Sequence, residues 1–579
     1  WEKAETAKKI ITEQINKIFN FASEKDKFKY ITGLNSDLYV SLGLKVLNQE
    51  NTAEKLFLAI LDFQNIILDS LIKQRTLINS DPQLEKTYEE LSGMKQTYSN
   101  LKLQNSIFGT TRIFKNQFEE LSKDIDELEN EINRLSSKSD GNVAIKKIDL
   151  ASMQSFLPND SVIIQFAKFN VTNFSDNMKQ DSKYFAFVLN KGKFDHTSVK
   201  DLGDSQLIDS KIMEFRSLIQ NKNNETEVKK IGNELYRLIF EPLLDELNNP
   251  NHIFISPDSE ISFLPFDALV DNENRYLISK YSFSYLNNGK DIIGFGGKKE
   301  KLGQHAILVG NPNFDKFSSL SPSNLALQNQ NIPKTRSADF KKLSFAALSG
   351  TKKEIDAVEN IMGSIESKVY TDLNANESNI KSINSPRILH IATHGFFLGD
   401  KNKANSANIN RGFSISPLAQ NDLIPSNKFS TGDPLLDSGL ALSGANKYLN
   451  SGLKENGEDG LLVAMEVLGM NLANTDLVVL SACNTGVGEV ARGQGVFGLR
   501  RAFQQAGAKS LIMSLWQIPD EETKDLMVEF YKMLFDGKSK LNAIHDASLS
   551  IMESTRKKHQ STHPFYWSGF ILIGDPGLN

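Results

Sequence analysis

Two short apolar runs constrain this chain more than anything else in it. Asp476 to Ala482 and Ile388 to Thr393 are rich in Val, Leu and Ile and bounded by polar residues. That is the pattern of strands covered on both faces, as in a parallel sheet. The first run ends at Cys483, the sole cysteine of the 579 residues, and the second ends at His394-Gly395. A Gly-punctuated loop, Asn484 to Gln494, follows the cysteine, and an amphipathic helix is expected over Val496 to Gln505. In open α/β sheets the functional crevice lies at the C-terminal ends of such strands. If the two strands are neighbours, a thiol and an imidazole converge there.

A neutral thiol is a weak nucleophile near pH 7, so a working cysteine needs an imidazole, a helix N-terminus or both to lower its pKa. Both are expected around Cys483. A buried structural thiol explains its position equally well. His390 and His394 are four residues apart, a metal-ligand spacing on a helix, but their run is strand-like and no third ligand lies near, which disfavours zinc. No metal or organic cofactor is expected. His563, beside Pro564 and an aromatic cluster, reads as structural.

From Trp1 to about Lys138 the text is helical, with almost no Gly or Pro. Phe114, Phe118, Leu121, Ile125, Leu128, Ile132 and Leu135 form an alternating 4-3 stripe, the mark of a coiled-coil-like helix. Glu2 to Phe21, Ala53 to Lys73 and Leu84 to Leu103 have broader apolar faces that suit helix pairs of a solenoid, and a packing bundle and a partner-binding surface both remain open. After a polar break at Ser139 to Asn142 come strand-like runs at 161–169, 184–189, 252–256 and 281–285, with a helix over 227–247, an α/β pattern. The strand His252 to Ser256 ends in Pro257-Asp258 with neither thiol nor imidazole, so this part reads as a non-catalytic half. Further on, Ser349-Gly-Thr351 opens a helix with Glu354 as capping-box partner. Lys401 to Gly432, polar and long, is expected to be mobile, either a gate to the site or a plain insertion.

Composition excludes several classes. With 40% hydrophobic and 24% charged residues the chain is an ordinary globular protein of two to four domains. Net charge is −5, without a basic stripe, so nucleic acid is not expected as a direct ligand. No membrane span or signal peptide is read, and a single cysteine suits a reducing cytoplasm. Because the chain opens on Trp1, a preceding portion is expected to be missing.

The blocks ILHIATHGFF, DPLLDSGLALSGAN, DGLLVAMEVLGM, LVVLSACNTGVGE, GQGVFGLRRAFQQAGAKSLIMSLW and YWSGFILIGDP, in this order, resemble CHAT domains, caspase-like cysteine peptidases akin to caspases and separases. The resemblance runs from about Val143 to the C-terminus. It implies a caspase-like α/β fold with a non-catalytic half at 141–300 and a catalytic half at 301–579, behind a tetratricopeptide-like or coiled-coil-like helical region at 1–140. It implies a peptidase in which Cys483 attacks the scissile carbonyl, His394 handles the proton, and the backbone N–H groups of Gly395 and Cys483 hold the oxyanion. Asn484, Trp516 and Asp520 are its candidate substrate contacts. Asn484 and Gln494 stand where the family often carries acids, which alters the charge around the specificity pocket. A protein substrate follows, with a regulatory protein partner on the N-terminal helices, in a sensor-triggered bacterial defence or cell-death pathway. The alternative is a catalytically silent scaffold. Removing the helical region is expected to leave a folded domain that still reacts with a thiol probe.

Overall fold

The computed structural model describes the chain except for residues 35, 50, 109–111, 141–147, 174–178, 192–196, 223, 296–301, 318–343, 364, 398–412, 415–432, 483–488 and 579. The segment Lys401 to Gly432 therefore lies outside the described residues, apart from Phe413–Ser414.

Seven helices open the chain: α1 (Glu2–Phe19), α2 (Glu24–Gly33), α3 (Ser36–Lys45), α4 (Thr52–Phe63), α5 (Ile66–Ile78), α6 (Pro82–Phe108) and α7 (Arg112–Asp140). The single helix expected over 53–73 is broken. Asn65 takes a left-handed φ of 54°, which makes Gln64-Asn65 an elbow between α4 and α5. Ile125, Leu128, Ile132 and Leu135 of the α7 stripe face α6 in an antiparallel hairpin. Ile132 is buried with Leu84 and Leu91, the rings of Tyr98 and Phe118 meet edge-on at 6.2 Å, and Lys95 pairs with Glu129 at 2.6 Å.

Among the described residues seventeen strands follow. β1 (Ser161–Asn173), β2 (Lys179–Asn190), β3 (Ser198–Asp204), β4 (His252–Ser256) and β5 (Ser282–Tyr285) come first, then β6 (Ala306–Pro312), β7 (Ser367–Asp372) and β8 (Ile388–Thr393). Next are β9 (Gly395–Phe397), β10 (Phe413–Ser414), β11 (Ser438–Ala441), β12 (Leu461–Val463), β13 (Leu477–Ala482), β14 (Glu489–Ala491) and β15 (Gly495–Phe497), and last β16 (Ser510–Ser514) and β17 (Phe570–Gly574). Eleven of them form one sheet in the order β3-β2-β1-β4-β5-β17-β16-β13-β8-β6-β7. Strands β1, β4, β5 and β17 run parallel, and so do β16, β13, β8, β6 and β7. The two blocks meet antiparallel between β16 and β17. The mixed α/β class with a helical region in front is the one the sequence predicts.

Alternation along β1 and β2 decides what covers them. Ile163, Ala167, Phe169, Phe185 and Phe187 face one way and share a core with Leu56, Phe57, Ile60 and Leu61 of α4 and Val40 of α3. Val162, Ile164, Phe166, Ala186 and Val188 face the main core on the other side, with the helices Ser205–Gln220 and Glu225–Ile239. The latter stops at Ile239 rather than running to 247, since Pro242 follows. The helical region thus covers one face of β1, β2 and β4, and the expectation of a folded domain without it does not fit this shared core.

The helix after Cys483 also differs from expectation. It spans Leu499–Gln505, and the hairpin β14–β15 intervenes between it and the cysteine loop. The hairpin turn is gripped by the helical region. Asn65 N–H donates to the Gly493 carbonyl (2.7 Å), Gln494 Nε2 donates to the Phe63 carbonyl (3.1 Å), and Arg492 pairs with Asp37 (3.1 Å). Gly493 N–H donates to Asp258 Oδ1 (2.9 Å), the residue just past β4. Gln494, expected near a specificity pocket, is therefore spent on this junction.

Candidate active site

The strands that end in the thiol and the imidazole are neighbours. β13 pairs parallel with β8 in a register that runs from Leu477 opposite Ile388 to Ala482 opposite Thr393. Both strands are buried throughout, which accounts for their unbroken apolar sequence. Cys483 and Asn484 lie outside the described residues. The residues that precede the two candidate groups, Ala482 and Thr393, are cross-strand partners, and Ser514 Oγ at the end of β16 donates to the Ala482 carbonyl.

His394 is held on three sides. Its Nε2 lies 2.8 Å from the Ala346 carbonyl, and the rings of Phe314 and Phe345 flank it at 5.4 and 5.7 Å. A carbonyl can only accept, so Nε2 carries the hydrogen, and in the neutral ring Nδ1 is the free acceptor. Burial pushes the imidazole pKa below its ordinary 6.5, against smaller upward effects of the Ala346 bond and Asp520. Burial thus favours the neutral ring.

Gly395 starts β9, which pairs antiparallel with β11, Gly395 opposite Leu440. Ala441 N–H donates to the His394 carbonyl (2.9 Å), so Gly395 occupies a non-hydrogen-bonded position whose own N–H points away from β11. Opposite Phe396 only glycine fits. A Cβ on Gly439 would lie 2.5 Å from the Phe396 ring and 2.7 Å from the Leu462 carbonyl.

Thr393, Ser481, Ala482, Ser514, Trp516 and Asp520 line a cavity of about 30 Å³ at the ends of these strands. Trp516 is 1% exposed and its Nε1 donates to the Phe565 carbonyl (3.0 Å), so it forms a rigid wall. Asp520 opens the helix Asp520–Phe535; burial pushes its carboxyl up, Glu354 adds to this, and His394 opposes it. The structure thus brings Trp516 and Asp520 to the strand ends, with Asp520 within electrostatic reach of His394.

His390 belongs to the core. Its ring nitrogens engage Glu354 Oε1 (2.9 Å) and Tyr531 Oη (3.1 Å). Glu354 is therefore bonded to β8 rather than closing a capping box, and no side chain caps its helix. His563 is structural as expected, with Nδ1 accepting from Phe565 N–H. Among the described residues the carboxylates of Glu377, Glu458 and Glu466 converge, but Lys381 Nζ fills the space between them at 3.0, 2.6 and 2.8 Å. Sequence reading missed Phe314, Phe345 and Ala346. A backbone carbonyl has no sequence signature, and Phe314 lies within, and Phe345 just after, the polar stretch Asn311 to Lys342, which carries no helical or strand periodicity.

Residues 229–575, more than half of the chain, match the family model of the CHAT domain. The chain belongs to the CHAT domain family. Within this CHAT domain fall β4 to β17, His394 and Cys483, while α1 to α7 and β1 to β3 precede it. Tetratricopeptide repeat protein 28 of Homo sapiens is 36% identical over 120 residues, which are 21% of this chain and 5% of that protein. The chain thus spans about 5% of the length of the curated relatives it matches. Among solved structures, the Arg-specific cysteine proteinase gingipain R of Porphyromonas gingivalis aligns with 64% of this chain and 74% of its own, at 9% identity and a TM-score of 0.35. The Saccharomyces cerevisiae separase–securin complex aligns with 86% of this chain and 27% of its own, at 10% identity and a TM-score of 0.32. No helix among the described residues is long and apolar enough to cross a membrane.

Proposed function

We propose that this CHAT protein is a cysteine endopeptidase that cleaves a specific protein substrate through Cys483 and His394. One observation supports the reading: the residues before them, Ala482 and Thr393, are paired across β13 and β8. The neutral Nε2–H tautomer of His394 supports it, because Nδ1 is then ready to take the thiol proton. The thiolate Sγ attacks the scissile carbonyl carbon, and the N–H groups of Gly395 and Cys483 hold the oxyanion. The C–N bond breaks as the imidazolium hands its proton to the departing amine. Water, activated by the same imidazole, then hydrolyses the thioester and restores the thiol.

In this reading 301–579 is the catalytic half, 141–300 the non-catalytic half, and 1–140 the regulatory helical region. Asn484, Trp516 and Asp520 contact the substrate. A protein partner acts through the helices, which touch the hairpin after Cys483 at Asp37, Phe63 and Asn65. The setting is a cytoplasmic bacterial defence or cell-death pathway.

The test is incubation of the purified chain with neighbouring gene products, followed by mass spectrometry of the fragments. Cys483→Ala and His394→Ala should each abolish cleavage, iodoacetamide should do the same, and EDTA should have no effect. Cleavage lost in EDTA and restored by zinc refutes the thiol mechanism. A Cys483→Ala variant with full biological activity makes the protein a scaffold.

A further inference from the structure

Residues 344–348 belong to no helix or strand, yet they supply the carbonyl that orients His394. Something outside a ladder must hold them. Asn446, 4% exposed, does so with its whole carboxamide: Oδ1 accepts from Phe345 N–H (2.8 Å), and Nδ2 donates to the Phe345 carbonyl (2.9 Å) and to Asp315 Oδ1 (3.0 Å). Its backbone N–H donates to the Phe314 carbonyl (2.8 Å). The Phe314 and Phe345 rings and the Ala346 carbonyl, which contact the His394 ring, thus all hang on this one residue or its immediate neighbour. The corner that presents it is itself constrained. Gly444 has a φ of 88°, and a Cβ there would sit 1.9 Å from the Phe317 ring.

We propose that Asn446 is a positioning residue for the peptidase site: by clamping the Phe345 peptide from both sides it fixes the Ala346 carbonyl, and with it the tautomer and orientation of His394. This rests on the reading of His394 as the base for Cys483. Losing the clamp frees the carbonyl. Nε2 then loses its fixed acceptor, both neutral tautomers populate, and the fraction with Nδ1 available to the thiol falls.

Since Cys483 is the only thiol, alkylation of the full chain by iodoacetamide reads that site alone. The rate is measured from pH 5 to 9. The wild type should alkylate with a limb well below the ~8.5 of a lone cysteine, and His394→Ala should collapse the profile to that single limb. Asn446→Ser should shift the profile toward that of His394→Ala and slow the reaction at pH 7 by about tenfold, part of the contribution of a general base. Asn446→Asp is isosteric and keeps the acceptor for Phe345 N–H, but it sets an oxygen against the Phe345 carbonyl and Asp315, so it should shift the profile as well.

A folded Asn446→Ser variant, judged by circular dichroism and melting, with a wild-type profile overturns the proposal. If the serine variant does not fold, a wild-type profile for Asn446→Asp does the same. Long-range 15N NMR of the wild type adds a readout free of any variant: His394, assigned by its absence in His394→Ala, must be the Nε2–H tautomer, and an Nδ1–H tautomer overturns the proposal. A His394→Ala profile equal to wild type instead refutes the dyad, so the two failures are told apart.

Discussion

Phe57→Ala tests whether the helical region and the sheet are one core. Phe57 of α4 is fully buried and stacks on Phe187 of β2, with ring centroids 5.7 Å apart and an interplanar angle of 8°. Burying a Phe side chain is worth roughly 1.5–3 kcal/mol, and the aromatic pair adds about 0.5–1.5 kcal/mol. A cavity walled by strand and helix relaxes only in part, so the total should fall in the ~3–5 kcal/mol range of buried Phe→Ala changes. Urea unfolding is followed in a Trp1→Phe background by two signals, far-UV circular dichroism and the fluorescence of the buried Trp516 and Trp567, which reports the α/β part. Both midpoints should move down together. A fluorescence midpoint unchanged within error, while the helical signal melts early, would falsify the shared core and restore the helical region as a removable module.

Two further outcomes follow from particular groups. Burial holds the His252 imidazole down at about 3. Above pH 6.5 both folded and unfolded states leave it neutral; below that the unfolded chain binds a proton that the folded one refuses, so stability should fall by ~1.4 kcal/mol per pH unit from 6.5 toward 3. In His252→Gln the slope of urea midpoint against pH should be shallower, and equal slopes refute the assignment. Gly495 has a φ of 75°, and a Cβ there would lie 2.4 Å from Asn65 Oδ1. Gly495→Ala should cost about 1–2 kcal/mol from backbone strain alone and raise amide exchange across β14–β15; unchanged exchange would show that the elbow does not hold the hairpin.

The buried strands β8 and β13 were legible because a strand covered on both faces must be apolar along its length, and their polar ends marked the candidate site. The elbow at Gln64-Asn65 was not, because apolar residues continue through LDFQNIILD and hide the break that Asn65 makes by taking a left-handed turn against Gly493. The hairpin β14–β15 reads as a loop for a similar reason. Its glycines serve a turn whose partners, Asp37, Phe63 and Asp258, are distant in sequence. Glu354 fits a capping box by spacing, yet a buried imidazole on β8 binds it instead. Tertiary contact overrode local pattern in each case. Cys483 and His394 stood out by position, whereas Ala346 acts through its backbone and nothing in its side chain could point to it.

The seam between the two parallel blocks also bears on how the chain is made. β17 pairs with β16 over five residue pairs and with β5 at Ile573 opposite Tyr285, and of all the strands in the sheet it is the last in sequence. Until the ribosome has delivered it, β5 and β16 each present a bare edge, the kind of surface on which nascent chains aggregate. Neither block can be zipped to the other during elongation. A truncated translation product therefore keeps the two blocks apart, and the complete sheet is available only after β17 has emerged.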